Sequence, residues 1–219
     1  MSGKFITLEG IDGSGKTTQV WLLERALQRL GCATASFAEP GRGTMFGARV
    51  REIIFDRALD SSETFRMAYT FLFLASQAYS AEAILRPALA KGEIVIADRW
   101  SDSALVYHDP PDLCSPVAPP SAWRLEELLK FAMPDSRPDL TFWIDVDPEI
   151  AHARVANAGV TAERSTLAAL RIFAARYAWL QRGDPDRIFR IDGSQNVESV
   201  HLQIMAAVLP RLDLSCSKK

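Results

Sequence analysis

Cysteine is scarce in this chain of 219 residues: Cys32, Cys114 and Cys216 stand far apart, in no CxxC or Cys/His grouping. That excludes a disulfide framework and a zinc site, and an odd, scattered set reads as reduced thiols of a cytoplasmic protein. No stretch reaches the roughly 20 apolar residues that a membrane-spanning helix needs. Neither sign of charge dominates, since 25 Lys and Arg face 27 Asp and Glu for a net charge of −2. A broad basic face for nucleic acid or anionic lipid is therefore not expected, and no nucleic-acid or membrane partner is. The opening MSGKFITLEG runs straight into a strand-like pattern and lacks a signal peptide's apolar core and cleavage site. Internal repeats and low-complexity tracts are also missing.

What is present is the balance of an ordinary globular protein, 48% hydrophobic and 24% charged. The length suits one large domain, expected over residues 1–212, with 213–219 as a disordered tail. Lys4–Glu9 alternates in a β-rich run that breaks at Gly10, and Thr17–Leu30 places Val20, Leu23, Leu27 and Leu30 on one helical face. Ala33–Ala38 is a second candidate strand. Phe46–Phe55 and Ser62–Leu89 read as helices. Glu93–Asp98 and Leu140–Asp145 are short apolar runs ending in an acid, the pattern of buried parallel strands, and Arg187–Ile191 is a weaker third case. Helices are expected over Glu149–Ala158, Thr166–Arg182 and Val197–Leu209, and His108–Pro120 reads as a Pro-rich surface loop. The alternation predicts an α/β fold with a central parallel sheet of about five strands covered by helices on both sides.

Between the first strand and the first helix lies Gly10-Ile11-Asp12-Gly13-Ser14-Gly15-Lys16-Thr17, which satisfies G-x-x-x-x-G-K-[ST]. Each residue type has a task. The glycines allow backbone angles and approaches that a side chain would block, so successive N–H groups can point at phosphate oxygens. Lys16 would reach the β- and γ-phosphates of ATP, and the Thr17 hydroxyl would hold Mg²⁺. Residue frequencies produce the pattern by chance in roughly one chain of this length per hundred. No N/T-K-x-D segment is present to read guanine, and a P-loop NTPase fold follows.

Two further groups lie at predicted strand ends, where an open α/β sheet presents its ligand edge. Glu39-Pro40-Gly41 follows the second strand, and Asp98-Arg99-Trp100 follows the third, with Asp102, Ser103 and Tyr107 close behind. An arginine there suits bidentate contact with an acceptor phosphate. An acid there can orient that arginine or help hold Mg²⁺. Read alone, Asp98-Arg99 could equally be a structural ion pair, and Phe73, set among Phe71, Leu72 and Leu74, reads as core.

With these residues in view the chain resembles the thymidylate kinase family. The resemblance runs through FITLEGIDGSGKTTQ, AEPGRGTMFGARVREII, DRWSDSALVY, RPDLTFWIDVDPEIAHAR and RIDGSQNVESV in order. It implies a nucleoside monophosphate kinase that phosphorylates a pyrimidine deoxynucleotide, most simply dTMP, with ATP and Mg²⁺. By resemblance, Gly10, Asp12, Gly13, Ser14, Gly15, Lys16, Thr17 and Thr18 bind ATP, and Thr17 and Asp98 serve the metal. Lys16, Asp12, Arg99 and the lid arginines Arg154 and Arg164 carry catalysis, the short lid covering about 155–166. Glu39, Arg51, Arg99, Ser103 and Tyr107 hold the acceptor, Phe73 stacks on its base, and Gln77 faces the base edge. A homodimer is implied, with Ser62–Leu89 as a candidate interface.

The chain also departs from the family pattern. Ala38 replaces a frequent Arg, Arg42 resembles an insertion, Gln77 stands where Arg is usual, and Ala104 and His108 replace polar residues near the base. A modified pyrimidine deoxynucleotide or dUMP is therefore an alternative acceptor. A non-catalytic, ATP-dependent switch is the alternative from another class.

Overall fold

The computed structural model describes residues 3–56, 58–59, 65–108, 120–158 and 165–212. Its centre is β1 (Lys4–Glu9), flanked by β3 (Ile94–Asp98) and β4 (Leu140–Asp145), with β2 (Thr34–Ala38) and β5 (Ile188–Asp192) outside them. The order is β2-β3-β1-β4-β5, and every pairing is parallel. Parallel strands need crossovers, which here are helices on both faces.

Strand alternation sorts the core into layers. Ile6 and Leu8 of β1 point to one face and meet Val20, Leu23 and Leu27 of α1 (Lys16–Arg29) and Val200, Ile204 and Val208 of α9 (Val197–Val208). Phe5 points to the other face and packs with Phe37, Val95 and Trp100. That face is covered by α3 (Arg66–Ser80), α4 (Arg86–Ala90), α5 (Ser101–His108), α6 (Pro120–Ala132) and α8 (Leu167–Gly183). Two helices remain: α2 (Met45–Ile54) packs on α3, while α7 (Pro148–Asn157) packs on α8. The result is a three-layer α/β fold with all five strand C-termini on one edge.

Three elements depart from the sequence expectations. The Ser62–Leu89 helix is two helices, α3 and α4, joined through a π-helical turn at Ala81–Leu85. No sequence pattern announces α5 or α6. Pro120 opens α6, where a first-turn proline sacrifices no helical hydrogen bond. Residues 109–119 of the expected loop, residues 60–64, residues 159–164 of the expected lid and the 213–219 tail lie outside the described residues.

Candidate active site

The P-loop leaves β1 at Gly10 and enters α1 at Lys16, and its glycines are required by geometry. Gly13 has φ +84°, and a Cβ there would lie 2.4 Å from the Ala151 carbonyl oxygen on α7. Gly15 has φ +95° with open space beside it, so backbone conformation alone selects glycine. Lys16 is buried, and its Nζ donates to the Ile11 carbonyl at 2.8 Å and to Ser14 Oγ at 3.3 Å. Burial, followed by the nearby Arg99 charge, pulls its pKa down to about 8, against the pull of Asp98, Asp12 and Glu9.

Thr17 Oγ1 donates to Asp98 Oδ2 at 2.5 Å, joining α1 to the end of β3. A hydroxyl and a carboxylate are hard oxygen donors, and Mg²⁺ takes only one or two protein oxygens beside phosphates and water. The pair therefore fits the ion that the P-loop implies.

Arg99 follows Asp98 directly and holds φ +76°, an unusual angle for a residue with a side chain. Its Nη2 donates to Asp12 Oδ1 at 2.5 Å, and its Nη1 to the Gly10 carbonyl at 2.9 Å, Ser103 Oγ at 3.1 Å and Tyr177 Oη at 3.3 Å. The guanidinium lies 4.8 Å from the Tyr107 ring centre. Among the described residues nothing accepts from Nε or from the second Nη2 proton, so that N–H edge is available to a ligand.

A cavity of about 460 Å³ joins these parts. Asp12, Gly13, Gly15, Lys16, Thr17 and Thr18 line one end, and Phe73, Tyr107, His108 and Phe173 supply apolar and aromatic surface. Glu39, Arg42, Arg51, Asp98, Arg99 and Ser103 line it between them. Arg51 donates to the Pro40 carbonyl at 3.0 Å. Burial and then the Arg42 charge lower its pKa, with Asp12 and Asp98 pulling the other way. Glu39 accepts from Ser76 Oγ at 2.5 Å and from Ser80 Oγ. Burial raises it to about 7, with the two hydroxyls pulling the other way.

The expected residues thus converge, with three qualifications. Gln77 does not line the cavity: it is wholly buried one turn from Phe73, and neither carboxamide atom meets a partner among the described residues. Arg154 is exposed and donates to the Gly13 carbonyl at 3.2 Å, so it sits over the P-loop. Arg164 lies outside the described residues. Next to that segment, Ser165 Oγ donates to Asp12 Oδ2 at 3.4 Å, and the Ser165 carbonyl lies 3.0 Å from His152 Nδ1.

Glu9 and Tyr177 join the site without having been expected there from the sequence. Glu9 is fully buried at the end of β1, on the face of Phe5 and Thr7, and receives four hydrogen bonds. An acid at an inward position of a buried strand was the available signal. Tyr177 arrives from α8, 168 residues along the chain, with no local cue.

A phosphate-binding loop facing a cation-rich pocket of mononucleotide size, on a five-stranded parallel sheet, defines a P-loop kinase. A family model described as thymidylate kinase matches residues 8–204. The chain belongs to the thymidylate kinase family and is a nucleoside monophosphate kinase. It is 39% identical over 209 residues to a thymidylate kinase of Leifsonia xyli, covering 92% of each chain. It is 34% identical over 218 residues to one of Exiguobacterium, covering 97% of each. The crystal structure of thymidylate kinase from Ehrlichia chaffeensis matches with a TM-score of 0.71 at 27% identity, covering 95% of this chain and 99% of that one.

Proposed function

We propose that this kinase transfers the γ-phosphoryl group of ATP to the phosphate of a pyrimidine deoxynucleoside monophosphate, converting dTMP to dTDP. The observation that carries the reading is Arg99: anchored by Asp12 and the Gly10 carbonyl, it has an N–H edge with no acceptor among the described residues, in the same cavity as Lys16. The P-loop amides, Ser14 and Thr18 bind the donor, with Lys16 on its β- and γ-phosphates. Mg²⁺, held through Thr17 and Asp98, neutralises phosphate charge when bound.

Arg99 and Arg51 grip the acceptor phosphate, and Arg42 adds positive field. Phe73 supplies the face for the base, Tyr107 packs beside the sugar, and Glu39 and Ser103 complete the wall. The attacking oxygen is already a phosphate anion, so catalysis is positioning and charge neutralisation, without a strong base. Arg154, over the P-loop, and Arg164 supply lid charge to the transferring group. The chain acts as one domain over residues 1–212, with its lid at about 155–166 and a tail from 213. It functions as a homodimer in the cytoplasm. No helix of the described residues is long and apolar enough to cross a membrane.

The test is ADP release measured with each common nucleoside monophosphate in turn. dTMP should give the highest kcat/KM. ADP release that no monophosphate stimulates would mean a switch, and preference for a ribonucleotide would remove the deoxypyrimidine assignment. In the same assay Lys16→Ala should cut turnover about 10³-fold in a folded protein.

A further inference from the structure

Resting on the proposed function, we propose that Glu9 is a positioning residue for the acceptor phosphate, acting on Arg99 through the hydroxyls of Ser103 and Tyr177. The hydrogen bonds define the direction of every proton involved. Glu9 Oε1 accepts from the backbone N–H groups of Trp100 at 2.7 Å and Ser103 at 3.3 Å. Its Oε2 accepts from Ser103 Oγ at 2.6 Å and from Tyr177 Oη at 2.9 Å. A carboxylate only accepts, so both hydroxyl protons point to Glu9. Both oxygens then turn lone pairs to the other side, where Arg99 Nη1 lies 3.1 Å from Ser103 Oγ and 3.3 Å from Tyr177 Oη.

The two hydroxyl oxygens are 3.0 Å apart, with both their protons already given to Glu9. Two lone-pair-bearing oxygens that close repel unless a donor lies against both. Arg99 Nη1 is that donor: one proton goes to the Gly10 carbonyl and the other is shared by the hydroxyls. The chain Glu9, hydroxyl pair, guanidinium therefore fixes the inner edge of Arg99 and leaves its outer N–H edge for the acceptor. Breaking that polarity loosens a residue that also carries a left-handed backbone angle.

The arrangement needs the ionised acid. A proton on Glu9 must take one of four places already filled by donors, and the backbone N–H groups at Oε1 cannot turn away. It would fall on Oε2, and a hydroxyl would swing its proton towards Arg99. The charged groups that act on Glu9 are Asp102 on α5, Arg99 at the end of β3 and, beyond them, Lys16 on α1; Tyr177 reaches it from α8 and Tyr107 acts on that pair from α5. Burial, then Asp102, raises Glu9 to about 7 against Arg99 and the Ser103 and Trp100 bonds. Measurements at pH 8 keep it mostly ionised.

Glu9→Gln keeps the shape but presents an NH₂ group to the two hydroxyls. At pH 8 its KM for dTMP should rise at least tenfold, with KM for ATP within threefold of wild type and the melting temperature showing a folded protein. Tyr177→Phe removes one arm while keeping the ring, and should raise KM for dTMP about threefold or more, again sparing ATP. In the double variant the effect of Glu9→Gln should shrink, because both act on one guanidinium. Equal changes in both KM values, or strictly additive changes, would overturn the proposal. If Glu9→Gln does not fold, Tyr177→Phe decides alone, and an unchanged dTMP KM overturns it. Turnover of dTMP by the wild type tests the proposed function itself, whereas the ratio of the two KM changes tests Glu9.

Discussion

At the residue scale the site is built by burying groups that prefer water. Glu39 illustrates the cost. Its carboxyl is 3% exposed and its pKa stands at about 7, raised from 4.5 by burial. A raised carboxyl favours folding fully below its unfolded pKa, and that contribution is lost as pH rises to the folded value. For Glu39 the window is about pH 4.5 to 7, and the loss is about 3 kcal/mol at 1.36 kcal/mol per unit. Asp184 and Asp192, whose pKa values are lowered by their partners, act in the opposite sense only at more acid pH. Glu39→Gln should flatten the unfolding free energy between pH 5 and 7 relative to wild type, read from urea melts. Parallel pH curves for the two proteins would show that Glu39 ionises normally. Gln77 carries a second cost. Among the described residues neither amide atom has a partner although Gln77 is wholly buried, and each such group costs about 1–3 kcal/mol. Gln77→Met, of similar shape, should stabilise the ligand-free protein by about 1–2 kcal/mol in urea melts. Unchanged stability would mean that the Gln77 amide is already satisfied. The sequence could show that Gln77 was anomalous on an apolar helix. It could not show which way the amide faces, because that depends on α5 and α6, far along the chain.

At the element scale legibility followed burial pattern. Lys4–Glu9 and Leu140–Asp145 match the expected strands to the residue, since a two-sided buried strand announces itself as an apolar run with a polar stop. The P-loop was legible because its chemistry is local. By contrast, α5 buries Asp102 and Ser103 beside Ala104 and Val106, so its polar residues face inward and no amphipathic stripe forms. Asp102 is matched by Arg187, bonded at 2.7 and 2.9 Å from β5's leading edge, a partner 85 residues distant. The same non-locality sets the contact between α7 and the P-loop. Gly13→Ala would drive its methyl into the Ala151 carbonyl, so α7 must move and carry Arg154 with it. That variant should lose about 1–3 kcal/mol of stability and most of its activity. Arg154→Ala, an exposed truncation, should change stability by less than about 0.5 kcal/mol yet lower kcat about tenfold or more, leaving both KM values within threefold. Thermal melts and steady-state kinetics on the two proteins separate the effects. Normal kcat in Arg154→Ala would move the lid charge to Arg164.

At the scale of the whole molecule, the outer surface of α2 and α3 stands out among the described residues. Met45 is 79% exposed, Met67 and Phe71 are each 54% exposed, and Phe46 and Tyr79 are half exposed while stacked on each other at 4.8 Å. Both helices contribute, they pack together, and the Phe46–Tyr79 stack joins them. A patch of this kind marks an interaction surface, and the symmetry of homo-oligomers makes a second copy of the chain its simplest occupant. The proposed homodimer would have a consequence for the site. Phe71 lies two residues from Phe73, and α3 also carries the Ser76 and Ser80 hydroxyls that hold Glu39. An interface built on Phe71 and the acceptor wall would thus be opposite sides of one helix. Sedimentation should show a wild-type dimer at micromolar concentration. Phe71→Glu puts a charge into the buried centre and should weaken association at least about 100-fold, equivalent to about 2.8 kcal/mol. The monomer should keep its KM for ATP, bound by the P-loop on the far side of the cavity, and lose affinity for dTMP as α3 loosens. A wild type that sediments as a monomer at tens of micromolar would refute the interface. A monomeric Phe71→Glu with unchanged dTMP kinetics would keep the interface and uncouple it from the acceptor site.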